Sequence, residues 1–317
     1  MNRGWIAAAA AAVLLSSCAE SAWRRQYDLG DRDLRRGRLA EAEVALSSAA
    51  ARAAAFPPGD WRRAESLDAL GDLRAAQGDD ARAEALYRRA LAIHERVDGR
   101  DAPATTQELA FLAEVCAAQG KKTEAEALLR RALAAAEKAP SRRYAEIAAR
   151  LADLASLESA SGHDDEAEAA YRRALTVTER ALGPDAPLVA ARLEDLALFE
   201  QARGHDAAAE PLYRRALDIR VRAHGAASPD VDEARDDLAL FYEAEGKDAD
   251  AETVYREILR ADQRAYGMWS PRLAPALSHY AHLLRRMGRL SEAAAIEARA
   301  RALRRPKPEK RPKKDRP

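Results

Sequence analysis

The sequence has few cysteines, few aromatic residues and no net charge. Only Cys18 and Cys116 occur among its 317 residues, which excludes a disulfide framework. Cys116 follows Leu109 and Leu112 at helical spacing, which predicts a buried, unreactive thiol. Aromatic residues make up 5% and β-branched residues are sparse, so a sheet-rich enzyme is disfavoured. Basic and acidic residues balance to zero, so overall charge predicts neither a nucleic-acid partner nor a membrane-surface partner.

Motifs that carry chemistry are also missing from the sequence. It contains no phosphate-binding loop, nucleophile elbow or dinucleotide fingerprint. His279 and His282 have an i, i+3 spacing that suits a metal, but no cysteine or spaced carboxylate completes a set around them in sequence. The sequence therefore predicts a protein that is not an enzyme and holds neither a cofactor nor a metal.

The N-terminus has the pattern of an export signal. Arg3 precedes an apolar run that ends at Leu15 and is too short to span a bilayer comfortably. The following Ser16-Ser17-Cys18 resembles the lipobox of bacterial lipoproteins. This resemblance implies a signal peptide over 1–17, a diacylated Cys18 and a lipidated tether over 18–21. Ala19, rather than Asp, favours the periplasmic face of the outer membrane. An ordinary secretory signal is the alternative.

The rest of the chain repeats with a period of 42 residues. The segment Tyr171–Leu217 begins and ends with Tyr-Arg-Arg-Ala-Leu. Glycines predicted to form the corner between two helices recur at the same period, at Gly78, Gly120, Gly162, Gly204, Gly246 and Gly288. An alanine follows five residues after each of them. Small residues there let paired antiparallel helices approach closely, and glycine suits the backbone angles of the corner.

An earlier, less regular copy with its corner at Gly37 brings the total to seven helix pairs, over residues 22–303. The linkers between pairs place a proline four residues after a glycine, which predicts that the next helix starts there. These prolines are Pro103, Pro187, Pro229 and Pro271.

The repeat resembles the tetratricopeptide repeat, specifically the longer form of kinesin light chains. The matching features are Leu-Ala in the first helix, the corner glycine, Ala-Glu-x-x-Tyr-Arg-Arg-Ala-Leu in the second helix and Leu-Gly-Pro-Asp-Ala-Pro in the linker. The resemblance implies an all-α fold, a right-handed α-solenoid of about seven helix pairs. It also implies that the first helices line a concave groove that binds protein or peptide partners.

On that geometry the groove is acidic, and basic or polar extended partners are expected. Kinesin-type repeats usually carry asparagines in this region, whereas this chain has Asp or Glu. The alternative is that these acids only keep the groove soluble. The first basic residue of the groove would be Arg285. The predicted partner-groove residues are Glu65, Asp68, Asp72, Glu114, Glu194, Asp195, Glu233, Asp236, Asp237 and Glu243.

Paired arginines on the second helices suggest nucleic acid or anionic lipid. However, a glutamate stands four residues before the first arginine of each pair, the favourable order for an exposed helical ion pair. The pattern therefore favours a solvated, self-neutralised face and no nucleic-acid partner. The four glutamates are in Glu84–Arg88, Glu126–Arg130, Glu168–Arg172 and Glu210–Arg214, and Glu252 stands in the same way before the single arginine Arg256.

The tail, residues 304–317, carries eight basic and two acidic residues, and its prolines and lack of apolar residues predict disorder. It is either a solubilising end, a ligand for the acidic groove of its own or a neighbouring molecule, or a contact for anionic envelope polymers.

Two functions follow from these observations. The first is an envelope-anchored scaffold or adaptor that binds proteins or peptides in the groove. The alternative is a structural or assembly component of a secretion or pilus-type machine, acting through the convex surface or by oligomerising.

Overall fold

The computed structural model describes residues 3–138 and 143–304, with side chains from Ala19 onward. These residues form fourteen α-helices and no strand. The helices are α1 Arg3–Arg35, α2 Leu39–Ala53, α3 Trp61–Ala76, α4 Asp80–Val97, α5 Pro103–Ala118, α6 Lys122–Lys138, α7 Tyr144–Ser161, α8 Asp164–Leu182, α9 Pro187–Ala202, α10 Asp206–His224, α11 Pro229–Ala244, α12 Asp248–Tyr266, α13 Leu273–Arg286 and α14 Leu290–Arg304.

Successive helices form seven pairs, which confirms the expected all-α solenoid of about seven helix pairs. The chain divides after Val177 into two compact units. In the first unit α1 packs on α2, α3 on α4 and α5 on α6; in the second, α9 packs on α10, α11 on α12 and α13 on α14.

The corners within the pairs have the geometry that the sequence predicts. Gly78 has φ +75° and Gly246 has φ +68°, a left-handed conformation that glycine adopts without a steric cost. The alanine five residues after each of the seven corner glycines is fully buried. These alanines are Ala42, Ala83, Ala125, Ala167, Ala209, Ala251 and Ala293.

Close packing in the first unit also requires a glycine inside a helix. A Cβ atom on Gly71 would lie 2.5 Å from Cε1 of Tyr87, whose ring is 3% exposed. Later pairs have a buried alanine at this position, such as Ala197 and Ala239. Large and small residues therefore alternate across the helix pairs, as expected for a close-packed interior.

The helix starts match the sequence prediction at three linkers of four. Pro103, Pro187 and Pro229 each open a helix. The prediction is wrong at Pro271, because α13 begins at Leu273. Ser270 accepts a hydrogen bond from the backbone N–H of Arg272, so a turn stands where the first residues of the helix were expected.

The N-terminal helix is longer than the repeat requires. α1 runs from Arg3 to Arg35, so residues 18–21, the predicted tether, lie inside it. Trp23 of α1 is 1% exposed, and its Nε1 donates a hydrogen bond to Oγ of Ser66, 2.8 Å away in α3. This contact fixes α1 to the second helix pair.

Candidate functional site

The predicted groove residues of the first unit lie on one face of α3 and on α5. Glu65, Asp68 and Asp72 are three, four and seven residues apart, a spacing that puts them on the same side of a helix. Tyr27 donates its hydroxyl to Oε2 of Glu65 at 3.0 Å, and Tyr87 donates to Oδ1 of Asp72 at 2.7 Å. Burial raises the pKa of Asp72, against the opposing effect of the Tyr87 hydrogen bond. Two of the three carboxylates are thus positioned by tyrosines.

Asp68 lies between two groups that the sequence did not place in the groove. His94 of α4 has its Nε2 atom 3.5 Å from Oδ2 of Asp68 and its Nδ1 atom 2.9 Å from Oδ2 of Asp98. The hydrogen bond to Asp68 is the main cause that raises the pKa of His94, to about 9. Glu108 of α5 is 2% exposed, and burial, followed by the charge of Asp68, raises its pKa to about 10.

Glu114, the last predicted residue of this unit, lines an open cavity of about 360 Å³ between α5 and α7. Gln107, Arg150 and Asp153 line the same cavity. Arg150 is a basic residue of a first helix and comes long before Arg285. The prediction that Arg285 is the first basic residue of the groove is therefore wrong.

In the second unit, Glu194 and Asp195 of α9 are both paired with arginines. Arg220 of α10 binds Glu194 with two hydrogen bonds, of 2.7 and 2.5 Å. Asp195 forms an ion pair with Arg192, three residues earlier, at 3.0 Å. The two-point contact of a guanidinium with a carboxylate is the strongest form of such a pair, so Glu194 is largely neutralised within the protein.

The remaining carboxylates of this unit meet in a cavity of about 400 Å³ between α11, α12 and α13. We call it the acidic cavity. One arginine, Arg272, lines it together with Pro229, Ile258, Pro275 and Ala276. Its five acidic residues are Asp232, Glu233, Asp236, Asp237 and Asp262.

The carboxylates of the acidic cavity are only partly neutralised, by Arg272 and by Arg235, which lies 3.6 Å from Asp232. Burial and then the charge of Asp262 raise the pKa of Asp232 to about 7. Burial and then Glu194 raise the pKa of Asp237 to about 6. Asp262 is 2% exposed, and its Oδ1 atom has no hydrogen-bond partner among the described residues. This arrangement is suited to receive a cation.

Two histidines and Glu243 complete the acidic face. Nδ1 of His279 lies 3.4 Å from Oδ1 of Asp236, and this contact opposes the burial that raises the pKa of Asp236. Glu243 is 8% exposed and accepts a hydrogen bond of 2.8 Å from the Tyr255 hydroxyl. His282 is 3.8 Å from Glu243. Glu243 is therefore held inside the helix packing, with little of its carboxylate facing solvent.

Sequence reasoning missed His94, Glu108, Asp232 and Asp262. His94, Arg220 and Asp262 each stand sixteen residues after a corner glycine, on a second helix. Each lies near a first-helix acid ten residues before the same glycine, namely Asp68, Glu194 or Asp236. This recurring spacing is the signal in the sequence for the second-helix residues His94 and Asp262. Glu108 and Asp232 stand on first helices, α5 and α11, and no such spacing distinguishes them.

The arginines of the second helices are paired as predicted. All five Glu–Arg pairs form, with N–O distances of 2.7–2.8 Å. Three of the glutamates also bind a cation of the next pair, at Lys121, Lys247 and Arg289. The hydrogen bond from Lys121 is the main cause that lowers the pKa of Glu84, to about 2. These arginines are accordingly occupied within the protein.

The predictions for the two ends of the chain concern residues that lie largely outside the described side chains. Cys18 precedes the first described side chain, and residues 305–317 of the tail lie outside the described residues. Arg304 is the last residue of α14 and donates to Oγ of Ser278 at 2.9 Å. Among the described residues, no helix combines the length and apolar character that a membrane span requires.

Comparison with known proteins gives a family and a fold. The model of the tetratricopeptide repeat family matches residues 62–138, 102–179 and 146–222, overlapping segments that cover half of the chain. No curated protein matches the sequence significantly.

Solved structures with the same fold include two of the kinesin light chain type. BtubC (BKLC) from P. vanneervenii is 23% identical, with 73% of this chain and 92% of that chain covered and a TM-score of 0.56. A kinesin light chain of Podosopora anserina with nearly identical TPR-like repeats is 25% identical over 63% of this chain and 95% of that chain, with a TM-score of 0.54. Aspartyl phosphate phosphatase F from Bacillus subtilis is 12% identical over 91% of this chain and 72% of that chain, with a TM-score of 0.61.

Proposed function

Since the chain belongs to the tetratricopeptide repeat family, whose repeats generally mediate protein–protein interaction, we propose that it binds an extended, basic protein segment on the acidic face of its first helices. The observation that carries this proposal is the acidic cavity. Five carboxylates and one arginine surround about 400 Å³ of open space. A lysine or arginine side chain of a partner supplies the positive charge that this site lacks.

Apolar contacts add to the charge on this face. Leu198 and Leu240 are 57% and 53% exposed. They stand four residues after Glu194 and Asp236, and therefore on the same sides of α9 and α11. The two leucines occupy the same position in consecutive repeats. A partner segment in which basic residues are separated by apolar ones matches this pattern, since apolar area contributes to affinity at the centre of an interface.

The proposal is tested with a synthetic peptide of residues 304–317, RRPKPEKRPKKDRP, as a defined basic probe. We expect the protein to bind the peptide with an affinity that falls as salt rises. The double variant Glu233→Gln, Asp237→Asn removes two charges from the cavity and should weaken binding at least about tenfold, on the order of 1.4 kcal/mol.

A matched control removes the same two charges elsewhere. Asp218 of α10 and Glu257 of α12 are exposed and are not among the residues that line the acidic cavity. The variant Asp218→Asn, Glu257→Gln should bind the peptide as the wild type does. Equal weakening by both double variants would show that only net charge matters, and would contradict a site at the cavity.

We further propose that the protein is attached to the periplasmic face of a bacterial outer membrane through acyl chains on Cys18. The supporting observation is the Leu-Ser-Ser-Cys sequence, and more than one acyl chain is needed for stable attachment. Cleavage before Cys18 would leave the part of α1 that contains the buried Trp23. The full-length protein should incorporate labelled palmitate and sediment with outer membranes, and Cys18→Ala should do neither. Palmitate labelling of Cys18→Ala would refute the assignment.

A further inference from the structure

Three side chains from consecutive helices of the first unit meet at one point. They are Asp68 of α3, His94 of α4 and Glu108 of α5, and one ligand atom from each lies within 4.8 Å of the others. We propose that these three side chains bind a divalent transition-metal ion. Zn²⁺ is the ion of choice for a test, because it accepts imidazole nitrogen together with carboxylate oxygen.

Glu108 provides evidence that a ligand is missing. Its side chain is 2% exposed, yet its Oε1 atom has no hydrogen-bond partner among the described residues. Oδ1 of Asp68, in the same cluster, is also buried and without one. Buried polar atoms are almost always satisfied. Because an ionised carboxylate is costly in a buried position, Glu108 without an ion retains a proton, in line with its raised pKa. A cation that displaces this proton and is bound by both groups satisfies the two unpartnered oxygens.

His94 has the orientation of a metal ligand. The ring is 7% exposed, and its Nδ1 atom lies 2.9 Å from Oδ2 of Asp98. The raised pKa of His94 means that both ring nitrogens hold protons when no metal is bound. A metal displaces the Nε2 proton, and with Nδ1–H still donating to Asp98 the Nε2 lone pair points away from Asp98. Nε2 is the atom 3.5 Å from Asp68. A carboxylate behind a metal-binding histidine fixes the tautomer and strengthens the ligand.

The spacing of the ligand atoms requires only a small adjustment. With metal–ligand distances of about 2.0–2.2 Å, ligand atoms in a tetrahedral site lie about 3.4 Å apart. The separation of 3.5 Å between Nε2 of His94 and Oδ2 of Asp68 meets this value. The ligand atom of Glu108 lies within 4.8 Å of the other two, so it needs to move by about 1 Å to reach the same separation. Glu65 and Asp72 add negative potential around Glu108, which favours a cation. Water completes the coordination.

Binding of Zn²⁺ alone tests the proposal without any peptide partner. Full-length protein in detergent, stripped with EDTA and dialysed, is titrated with Zn²⁺ by calorimetry, and thermal unfolding is followed in parallel. We expect a Zn²⁺ site that raises Tm and is lost in His94→Gln and in Glu108→Gln. Asp98→Asn leaves the three ligands in place and removes the carboxylate behind His94, so it should weaken Zn²⁺ binding by about 10- to 100-fold.

A second histidine–aspartate pair serves as the matched control. His279 lies 3.4 Å from Asp236 in the second unit, so His279→Gln removes a comparable imidazole and should leave the Zn²⁺ site unchanged. The proposal is overturned when the wild type fails to bind Zn²⁺, or when Glu108→Gln binds it equally well. If the ligand variants do not fold, as judged by circular dichroism without metal, unchanged affinity in Asp98→Asn overturns it instead.

Discussion

In the first unit Asp68 faces His94, whereas the equivalent positions of the second unit hold Glu194 with Arg220 and Asp236 with Asp262. The backbone brings the same two repeat positions together each time. The side chains then decide the result: a carboxylate–imidazole contact, a neutralised ion pair or two carboxylates that repel each other. The contact made at this position of the repeat thus depends on the residue of the second helix more than on the acid of the first.

The largest loss of stability is expected at the Glu194–Arg220 pair, where the charge of the carboxylate is compensated by the guanidinium. Arg220→Met removes the guanidinium that binds Glu194 and leaves a carboxylate whose side chain is 14% exposed. Loss of one partner from such a pair should lower the free energy of unfolding by about 2–3 kcal/mol. Adding Glu194→Gln to this variant should restore part of the loss. Chemical denaturation measures both, and an unaffected Arg220→Met variant would show that the pair contributes nothing.

The proposed metal site can also be built into the second unit, at the repeat positions that correspond to His94 and Glu108. Asp262 and Ala276 occupy the positions of His94 and Glu108, and both line the acidic cavity, which has room for a longer side chain. The variant Asp262→His, Ala276→Glu should bind one more equivalent of Zn²⁺. At about thirtyfold excess of free Zn²⁺ over Kd, this should stabilise the unit by about 2 kcal/mol.

An unchanged Zn²⁺ stoichiometry in that variant would mean that the shared repeat positions do not define the site. The single variant Ala276→Glu, which lacks the imidazole, is the control and should not gain an equivalent.

A smaller change in stability is expected when pH alters the charge of the acidic cavity. The pKa of Asp232 is raised to about 7, mainly by burial and by Asp262, with Arg235 opposing and Asp236 adding to the rise. A raised carboxyl pKa stabilises the fold below the ordinary value near 4, and this stability is lost as pH rises to about 7. Asp262→Asn should therefore be more stable than the wild type at pH 8, by about 1 kcal/mol after solvent screening, and nearly equal at pH 4. Thermal unfolding at both pH values checks this, and a gain that is equal at both would exclude charge repulsion as its cause.

The smallest effect should come from the arginines of the second helices. Arg172 is 60% exposed at its side chain and pairs with Glu168 at 2.8 Å. Such exposed i, i+4 pairs contribute about 0.3–0.5 kcal/mol. Arg172→Ala should therefore change the midpoint of urea unfolding only slightly and leave peptide binding unaffected. A strong loss of peptide binding would show that these arginines take part in binding the partner.

The fold could be predicted from the sequence because its determinants are local and recur. Corner glycines with positive φ, such as Gly78, and fully buried alanines, such as Ala83, stand at fixed spacings. Each copy of the repeat confirms the others. The start of α13 was misjudged, since a proline permits a helix start without requiring one.

The candidate sites could be predicted only in part. Asp68 and Asp236 were assigned to the groove from their place on the first helices. Their partners His94, Glu108 and Asp262 come from another helix or the next pair, and only tertiary packing shows which side chains meet. Burial, which gives Glu108 and Asp262 their unsatisfied oxygens, is likewise a property of the folded chain.

The central claim, that a basic segment binds in the acidic cavity, is tested most directly by the salt dependence of peptide binding. The dissociation constant of the peptide of residues 304–317 is measured by calorimetry between low and moderate ionic strength. We predict that affinity for the wild type falls steeply with salt, and that Glu233→Gln, Asp237→Asn both weakens binding and flattens this dependence. Identical affinity and salt dependence for the wild type and this variant would contradict the account.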